Sequence, residues 1–411
     1  MKTTADPSLN IERMIRIALV TGLAAAVLAV VGLFISGPAV FFQAYLYSFL
    51  FWLGISLGCL AILLLHFTVS SRWGVTIRRI TEAGAGSIWV LALLFVPLLF
   101  GLSYLFPWAR PGAFDAASHG MQLQFKQIYL SVPFFIIRAL IYFVAWGLLA
   151  FFANRQSARL NTSEANLVLR GRLQGLGAFG MIIYLFTMTF AAVDWSMSLQ
   201  PFWNSTVYGL LSIIGQILSA LSFAVLVLNL IPALSLGRRW DYQTTPVPYR
   251  DLGALLMTLV MGWAYLAYFQ MLIIWSGNIP REVVWYLARI EGGWNILAII
   301  ITVFQFALPF LMLLSIRARH SLKVLAGLGG MLLLVNLLNM FWQIKPAFTP
   351  GQFSISWLDI VMPVALGGLW MAGFLYLLRR RPVLTLADQE SLGFLEGEES
   401  AARITPERTA N

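Results

Sequence analysis

The chain has 411 residues, of which 60% are hydrophobic and only 11% charged, with a formal net charge of +10. A soluble domain carries about 25% charged residues, so this composition excludes a soluble protein and reads as an all-α integral membrane protein. The single cysteine, Cys59, lies in an apolar run, which rules out a disulfide framework and any Cys-ligated cluster within the chain.

A membrane-spanning helix needs about 20 apolar residues. Ten runs meet that length, at 14–35, 40–68, 85–106, 129–152, 173–197, 206–235, 252–276, 292–315, 322–344 and 357–378. Their length makes them helices rather than strands. The first run follows Arg13 and Arg16 and shows no cleavage pattern, so it reads as a retained helix rather than a signal peptide. The ten-helix domain thus covers 1–381, with bundles over about 40–197 and 206–344, and a polar, acid-rich tail over 382–411.

Ten spans put both termini on one side. Of the 27 Lys and Arg residues, only Arg110, Lys126, Arg281, Arg289 and Lys345 fall in the loops opposite the termini, and Arg138 falls inside a span. All the others lie on the side of the termini, an asymmetry that predicts a multi-pass protein with cytoplasmic termini. Because the basic residues sit in short segments between spans, the positive charge speaks for orientation in lipid and not for nucleic acid. Of the three histidines only His66 borders a span, which argues against a transmembrane bis-His haem. If the protein works with electrons, another subunit carries the metal.

Asp194 is the most informative residue. It stands near the outer end of the fifth span, after about twenty nearly uncharged residues, and begins the segment Asp-Trp-Ser-Met-Ser-Leu-Gln-Pro-Phe-Trp-Asn-Ser-Thr-Val-Tyr-Gly209. A carboxylate in hydrocarbon costs roughly 2.5–3.5 kcal/mol on insertion scales, so it needs a partner, a proton or a polar cavity. Arg138, in the outer half of the fourth span, is its expected partner. Two readings stand side by side: an ion pair that pins two helices, and a polar site that exchanges protons or contacts a headgroup. Tyr142 lies one turn inward from Arg138, and Tyr184 and Thr187 share the Asp194 face at helical spacing. With His66 at the cytoplasmic end of the second span, these residues form a sparse candidate proton path. Ordinary interhelical hydrogen bonding is its bland alternative. A quinone headgroup near Asp194, Trp195 and Arg138 is a further alternative.

Other polar stripes read as helix–helix contacts: Ser212, Gln216 and Ser219 on the sixth span, Tyr265, Tyr268 and Gln270 on the seventh, Asn295, Thr302 and Gln305 on the eighth, and Asn336, Asn339 and Gln343 on the ninth. Asp359 reads as an interfacial or capping carboxylate. Trp195, Trp203, Trp342 and Trp357 suit an interfacial belt. Gly175-Leu-Gly-Ala-Phe-Gly180 matches a dinucleotide pattern but follows no strand. Close helix packing explains it better, as it does Gly171-x-x-x-Gly175 and Gly54-x-x-x-Gly58. The long outer loop 107–128 holds Pro107, Pro111, Asp115 and His119.

The segment from Asp194 to Gly209 resembles the NrfD-like (polysulfide-reductase-type) membrane subunits of bacterial alternative complex III, most of all the second of that complex's two such subunits. The resemblance covers helix count and topology along the chain and is specific in motif only over 190–209. It implies two four-helix bundles, spans two to five and six to nine, with the first and last helices peripheral. It implies a quinol:electron-acceptor oxidoreductase in a respiratory or photosynthetic chain. The partners would be a sister NrfD-like subunit, an iron–sulfur protein and a multihaem cytochrome c, which carry the iron–sulfur clusters and haem c. This chain would bind no cofactor of its own, and a menaquinone or other quinone would be present in the complex. Asp194 carries over as the motif's acidic residue, with a proton-transfer role. The role expected of the chain is scaffolding with proton translocation; a stand-alone secondary transporter is the contrasting class, disfavoured by the lack of an evident inverted repeat.

Overall fold

A computed structural model describes residues 7–113, 126–159, 167–231 and 249–380. Asp115, His119 and the acid-rich tail lie outside the described residues. Of the described residues 86% are helical, and among them ten helices are long and apolar enough to cross a membrane. It is an all-α multi-pass membrane protein. The helices are α1 (Pro7–Ile35), α2 (Pro38–Val69), α3 (Arg72–Leu99), α4 (Val132–Arg159), α5 (Leu167–Trp195), α6 (Tyr208–Leu230), α7 (Tyr249–Gly277), α8 (Trp294–Leu314), α9 (Leu322–Ile344) and α10 (Leu358–Arg379). A shorter lateral helix, Pro280–Ile290, joins α7 to α8. An ion pair of 3.3 Å between Glu12 and Arg379 brings the start of α1 to the end of α10. That end of the molecule is called the terminal face below, and the Asp194 end the far face.

Helix α2 is the hub. It is buried along most of its length and packs on α3, α5, α6, α9 and α10. Proline at its first position and a left-handed Ser70 at its end, whose N–H bonds the His66 carbonyl at 2.7 Å, delimit it. The seam between α2 and α6 depends on Gly58, where a Cβ would stand 2.1 Å from the Gln216 carbonyl oxygen. α9 closes on α6, with Asn336 donating to the Gly215 carbonyl at 3.2 Å and to the Ser219 hydroxyl. The stripes on the sixth and ninth spans therefore meet each other, as helix–helix contacts should. α1 lies outermost and packs chiefly on α10.

Two prolines inside spans each leave a helical carbonyl without its usual donor. Pro363 of α10 has no N–H to give the Asp359 carbonyl one turn earlier, and the Tyr47 hydroxyl of α2 donates to that carbonyl instead. In α8, Pro309 leaves the Gln305 carbonyl without its helical donor. The helix widens into a π-turn over Thr302–Ala307 immediately before it.

Three expectations need correction. The third helix begins at Arg72, well before the apolar run at 85–106. Its first half carries Arg78, Arg79 and Glu82, all buried, with Glu82 paired to both arginines inside the protein, so hydropathy does not register this part of the span. Second, Gly171 and Gly175 have nothing within 4 Å of a built Cβ; the close packing on α5 falls at Gly177, 2.6 Å from the Leu64 carbonyl oxygen, and at Gly180. Third, Trp195 and Trp203 are buried in aromatic clusters and do not form an interfacial belt. Trp357 is exposed.

Candidate functional site

α4 and α5 run antiparallel, which brings Arg138, near the start of one, level with Asp194, near the end of the other. The two form a bidentate pair: Arg138 Nε donates to Asp194 Oδ2 at 2.8 Å and Nη2 to Oδ1 at 3.0 Å. The Tyr142 hydroxyl, one turn along α4, donates to the same Oδ2 at 2.8 Å. The third guanidinium nitrogen donates to the Tyr129 carbonyl at 2.8 Å. The guanidinium carbon lies 3.9 Å from the centroid of the Tyr129 ring and 4.5 Å from that of Phe134. Asp194 is only 1% exposed. Fork-to-fork geometry with a hydroxyl on the remaining lone pair is the arrangement a desolvated carboxylate requires.

The same turn of α5 fixes the segment that follows. The Ser198 hydroxyl donates back to the Asp194 carbonyl at 2.5 Å. Trp195, the next residue, sits among Phe49, Phe95, Tyr142, Phe143 and Trp146, with ring centroids 5.1–6.5 Å from its own. Its indole N–H has no hydrogen-bond partner among the described residues. The cavities lined by Trp195 measure about 10 and 40 Å³, whereas small-molecule sites run to about 300–1,000 Å³. A quinone headgroup therefore does not fit beside Trp195 in this arrangement.

The sequence-predicted path divides into separate places. Arg138, Tyr142 and Asp194 converge. Thr187 lies two turns below Asp194 on α5, accepts from the Trp146 indole at 2.8 Å and gives its own proton to the Ile183 carbonyl at 2.7 Å. Tyr184 turns to α6 and donates to Gln216 Oε1 at 2.9 Å, so it belongs to the seam between bundles. His66 is buried at the terminal end of α2, its ring near Phe67 and Trp73 and packed against Gly74. No hydrogen bond among the described residues joins it to the Asp194 cluster.

Two clusters escaped the sequence reading. On the terminal face, Glu82 of α3 accepts from Arg79 and from the Ser157 hydroxyl of α4, lies 3.8 Å from Arg78, and its carbonyl accepts from Asn154 at 3.2 Å. The spacing of Arg78 and Arg79 to Glu82, four and three residues, carried the signal of a helical ion-pair cluster. About 22 Å of α4 separates Ser157 from Tyr142, so this one helix bears a carboxylate contact near each end.

On the far face, Arg289 of the lateral helix is 1% exposed and has no carboxylate partner among the described residues. It donates to the Gln343 carbonyl at 2.6 Å, to the Trp285 carbonyl at 2.8 Å and to Gln200 at 3.3 Å, and it stacks on the Trp285 ring at 3.8 Å. Burial pushes its guanidinium down to about 9, against the opposing pull of Tyr208 and Tyr286. Through Gln200 it holds the segment that Asp194 begins. Lys126 holds the other end, donating to the Pro201 carbonyl at 2.7 Å and to Asn204 at 3.2 Å. Three of the few basic residues on this face thus serve one stretch, residues 194–204. Asp359 is both capping and paired: it accepts from the Ser356 N–H at 2.8 Å and lies 3.3 Å from Lys345.

Among the described residues, no three His, Cys, Asp or Glu side chains converge as a metal-binding group. No protein-family model matches this chain, and no curated protein gives a significant match to it.

Proposed function

We propose that this protein is the membrane scaffold of a multi-subunit quinol:acceptor oxidoreductase of the alternative complex III kind. In this reading both termini are cytoplasmic, the membrane is the bacterial inner membrane, and residues 194–209 form a rigid platform at the periplasmic surface. Haem c and iron–sulfur clusters belong to partner subunits, and this chain binds no redox centre itself. The observation that carries the reading is the Arg138–Asp194 pair. It is buried, bidentate and saturated by Tyr142 and the Tyr129 carbonyl, so it acts as a clamp at the root of the segment that resembles the NrfD-like subunits. Supporting the orientation, the far face has few basic residues, and those that clamp 194–204 are buried or bonded.

The test is Asp194→Asn in the intact complex. A clamp predicts poor assembly and a lower melting temperature, with normal proton release per turnover in whatever complex forms. Full assembly with normal stability would sink the scaffold role. Composition after mild detergent extraction tests the larger claim: co-purifying multihaem and iron–sulfur subunits are expected, and purification as a lone, transporting protein would overturn it.

Proton transfer is a second reading, favoured by one observation: α4 contacts a buried carboxylate near each end, Glu82 and Asp194. It predicts that Glu82→Gln and Asp194→Asn assemble but lose proton release in proteoliposomes. Normal release from both variants would end it.

A further inference from the structure

The half of the molecule built from α7, α8 and α9 contains a cavity of about 600 Å³, roofed by the lateral helix. That volume falls within the range of about 300–1,000 Å³ typical of small-molecule sites. None of its lining residues is charged. Trp263, Trp285, Trp342, Phe306 and Phe310 give it broad aromatic walls. At one side Met261, Tyr265, Tyr268 and Met271 line the cavity and are also exposed on the apolar surface, so it opens toward lipid.

The polar groups inside have unused hydrogen-bonding capacity among the described residues. Gln343 Oε1 accepts from the Tyr208 hydroxyl, and its amide N–H groups have no acceptor. Asn339 donates weakly to Asn336 at 3.5 Å, and its carbonyl oxygen has no donor. Tyr286 accepts from Gln270 at 3.4 Å, and its own proton goes to no protein atom. Buried polar groups are ordinarily partnered. Here donors and an acceptor converge on one space from two elements, α9 and the lateral helix. Thr302 and Phe306, which also line it, belong to the π-turn in α8, and such turns occur frequently at functional sites.

From this geometry we propose that the cavity is a binding site for a neutral lipid with a flat, oxygen-bearing ring headgroup and a hydrocarbon tail. The aromatic walls take the ring face. The Gln343 amide and the Tyr286 hydroxyl donate to a ring oxygen, and the Asn339 carbonyl accepts from a hydroxyl. The tail leaves between Tyr265 and Tyr268 into the bilayer. A phospholipid is the wrong class, because no lining cation meets a phosphate, and the nearby Arg289 is engaged by carbonyls and by the Trp285 ring. The site stands on this cavity alone and does not rest on the reading of Asp194. Prenylated quinones and hydroxylated terpenoids share the required chemistry.

The experiment is solvent extraction and mass spectrometry of lipids bound to the full-length protein in mild detergent, normalised to protein. About one neutral ring-headed lipid per chain is expected. Absorbance before and after borohydride reduction separates the sources: a quinone spectrum changes and a terpenoid spectrum does not. Ala298→Trp fills the cavity and should lower the retained lipid at least tenfold. Met271→Trp blocks the mouth from an exposed position and should do the same with the melting temperature unchanged, which covers failure of the first variant to fold. Gln343→Leu should weaken retention without closing the space. Retention of phospholipid only, absence of bound lipid, or equal retention by the wild type and Met271→Trp would overturn the proposal. Because none of these substitutions touches Arg138 or Asp194, a negative result here leaves the clamp to its own test.

Discussion

The two halves of the molecule treat buried polarity in opposite ways. In the half built from α2 to α5, Asp194 is charged, fully enclosed and saturated by Arg138 and Tyr142, with almost no free volume beside Trp195. In the half built from α7 to α9, Asn339, Gln343 and Tyr286 are neutral, incompletely bonded and arranged around about 600 Å³ of space. A charge in a low-dielectric interior demands complete local compensation. A neutral amide tolerates an unfilled valence at far lower cost, so room for a ligand can persist beside it. The residue most conspicuous in the sequence is thereby the most occupied by structure, and the inconspicuous amides line the usable space.

The comparison can be broken most sharply at the ion pair. Arg138→Leu alone should destabilise the protein by about 3–5 kcal/mol, since it leaves a buried, uncompensated carboxylate. Combining it with Asp194→Leu should recover much of that loss, read as the melting temperature in detergent. A double variant no better than the single would show that the pair does not act as a sealed unit. Tyr142→Phe removes one hydrogen bond to a charged group and should cost about 1.5–3 kcal/mol; no change in melting would mean that the carboxylate is less tightly held than the geometry requires.

Gly58→Ala tests the seam between the halves. Its Cβ would lie 2.1 Å from the Gln216 carbonyl oxygen, and overpacking of this kind costs about 1–3 kcal/mol. Gly175→Ala, with nothing within 4 Å, is the matched control and should be neutral or slightly stabilising by helix propensity. The smallest effect belongs to the cavity mouth: Met271→Trp should change stability by no more than about 0.5 kcal/mol, as an exposed substitution does. A large loss there would mean that the mouth is packed against something structural.

Much of the architecture was legible in residue order. Apolar run lengths predicted ten helices, and an even number of spans agrees with the contact between Glu12 and Arg379. The Arg138–Asp194 partnership was legible too, because two isolated charges on consecutive antiparallel helices, each near the far face, have few other ways to be neutralised. What failed to show was polarity hidden inside the protein. The first half of α3 reads as a loop because Arg78, Arg79 and Glu82 lower its hydropathy, yet Glu82 pairs with both arginines in the core. Trp195 and Trp203 read as interfacial because residue type does not reveal the clusters that surround them.

Sequence alone therefore determined the membrane class, the helix count and the existence of a compensated acid at Asp194, because length and charge spacing are local properties. Tertiary structure decided the rest. It directed Tyr184 to Gln216 and away from Asp194, and set Arg289 beneath the segment it holds. It also opened a cavity among α7, α8 and α9 whose walls come from five separate elements. Helix rotation and neighbour choice depend on packing between residues far apart in the chain, and a single span's periodicity does not specify them.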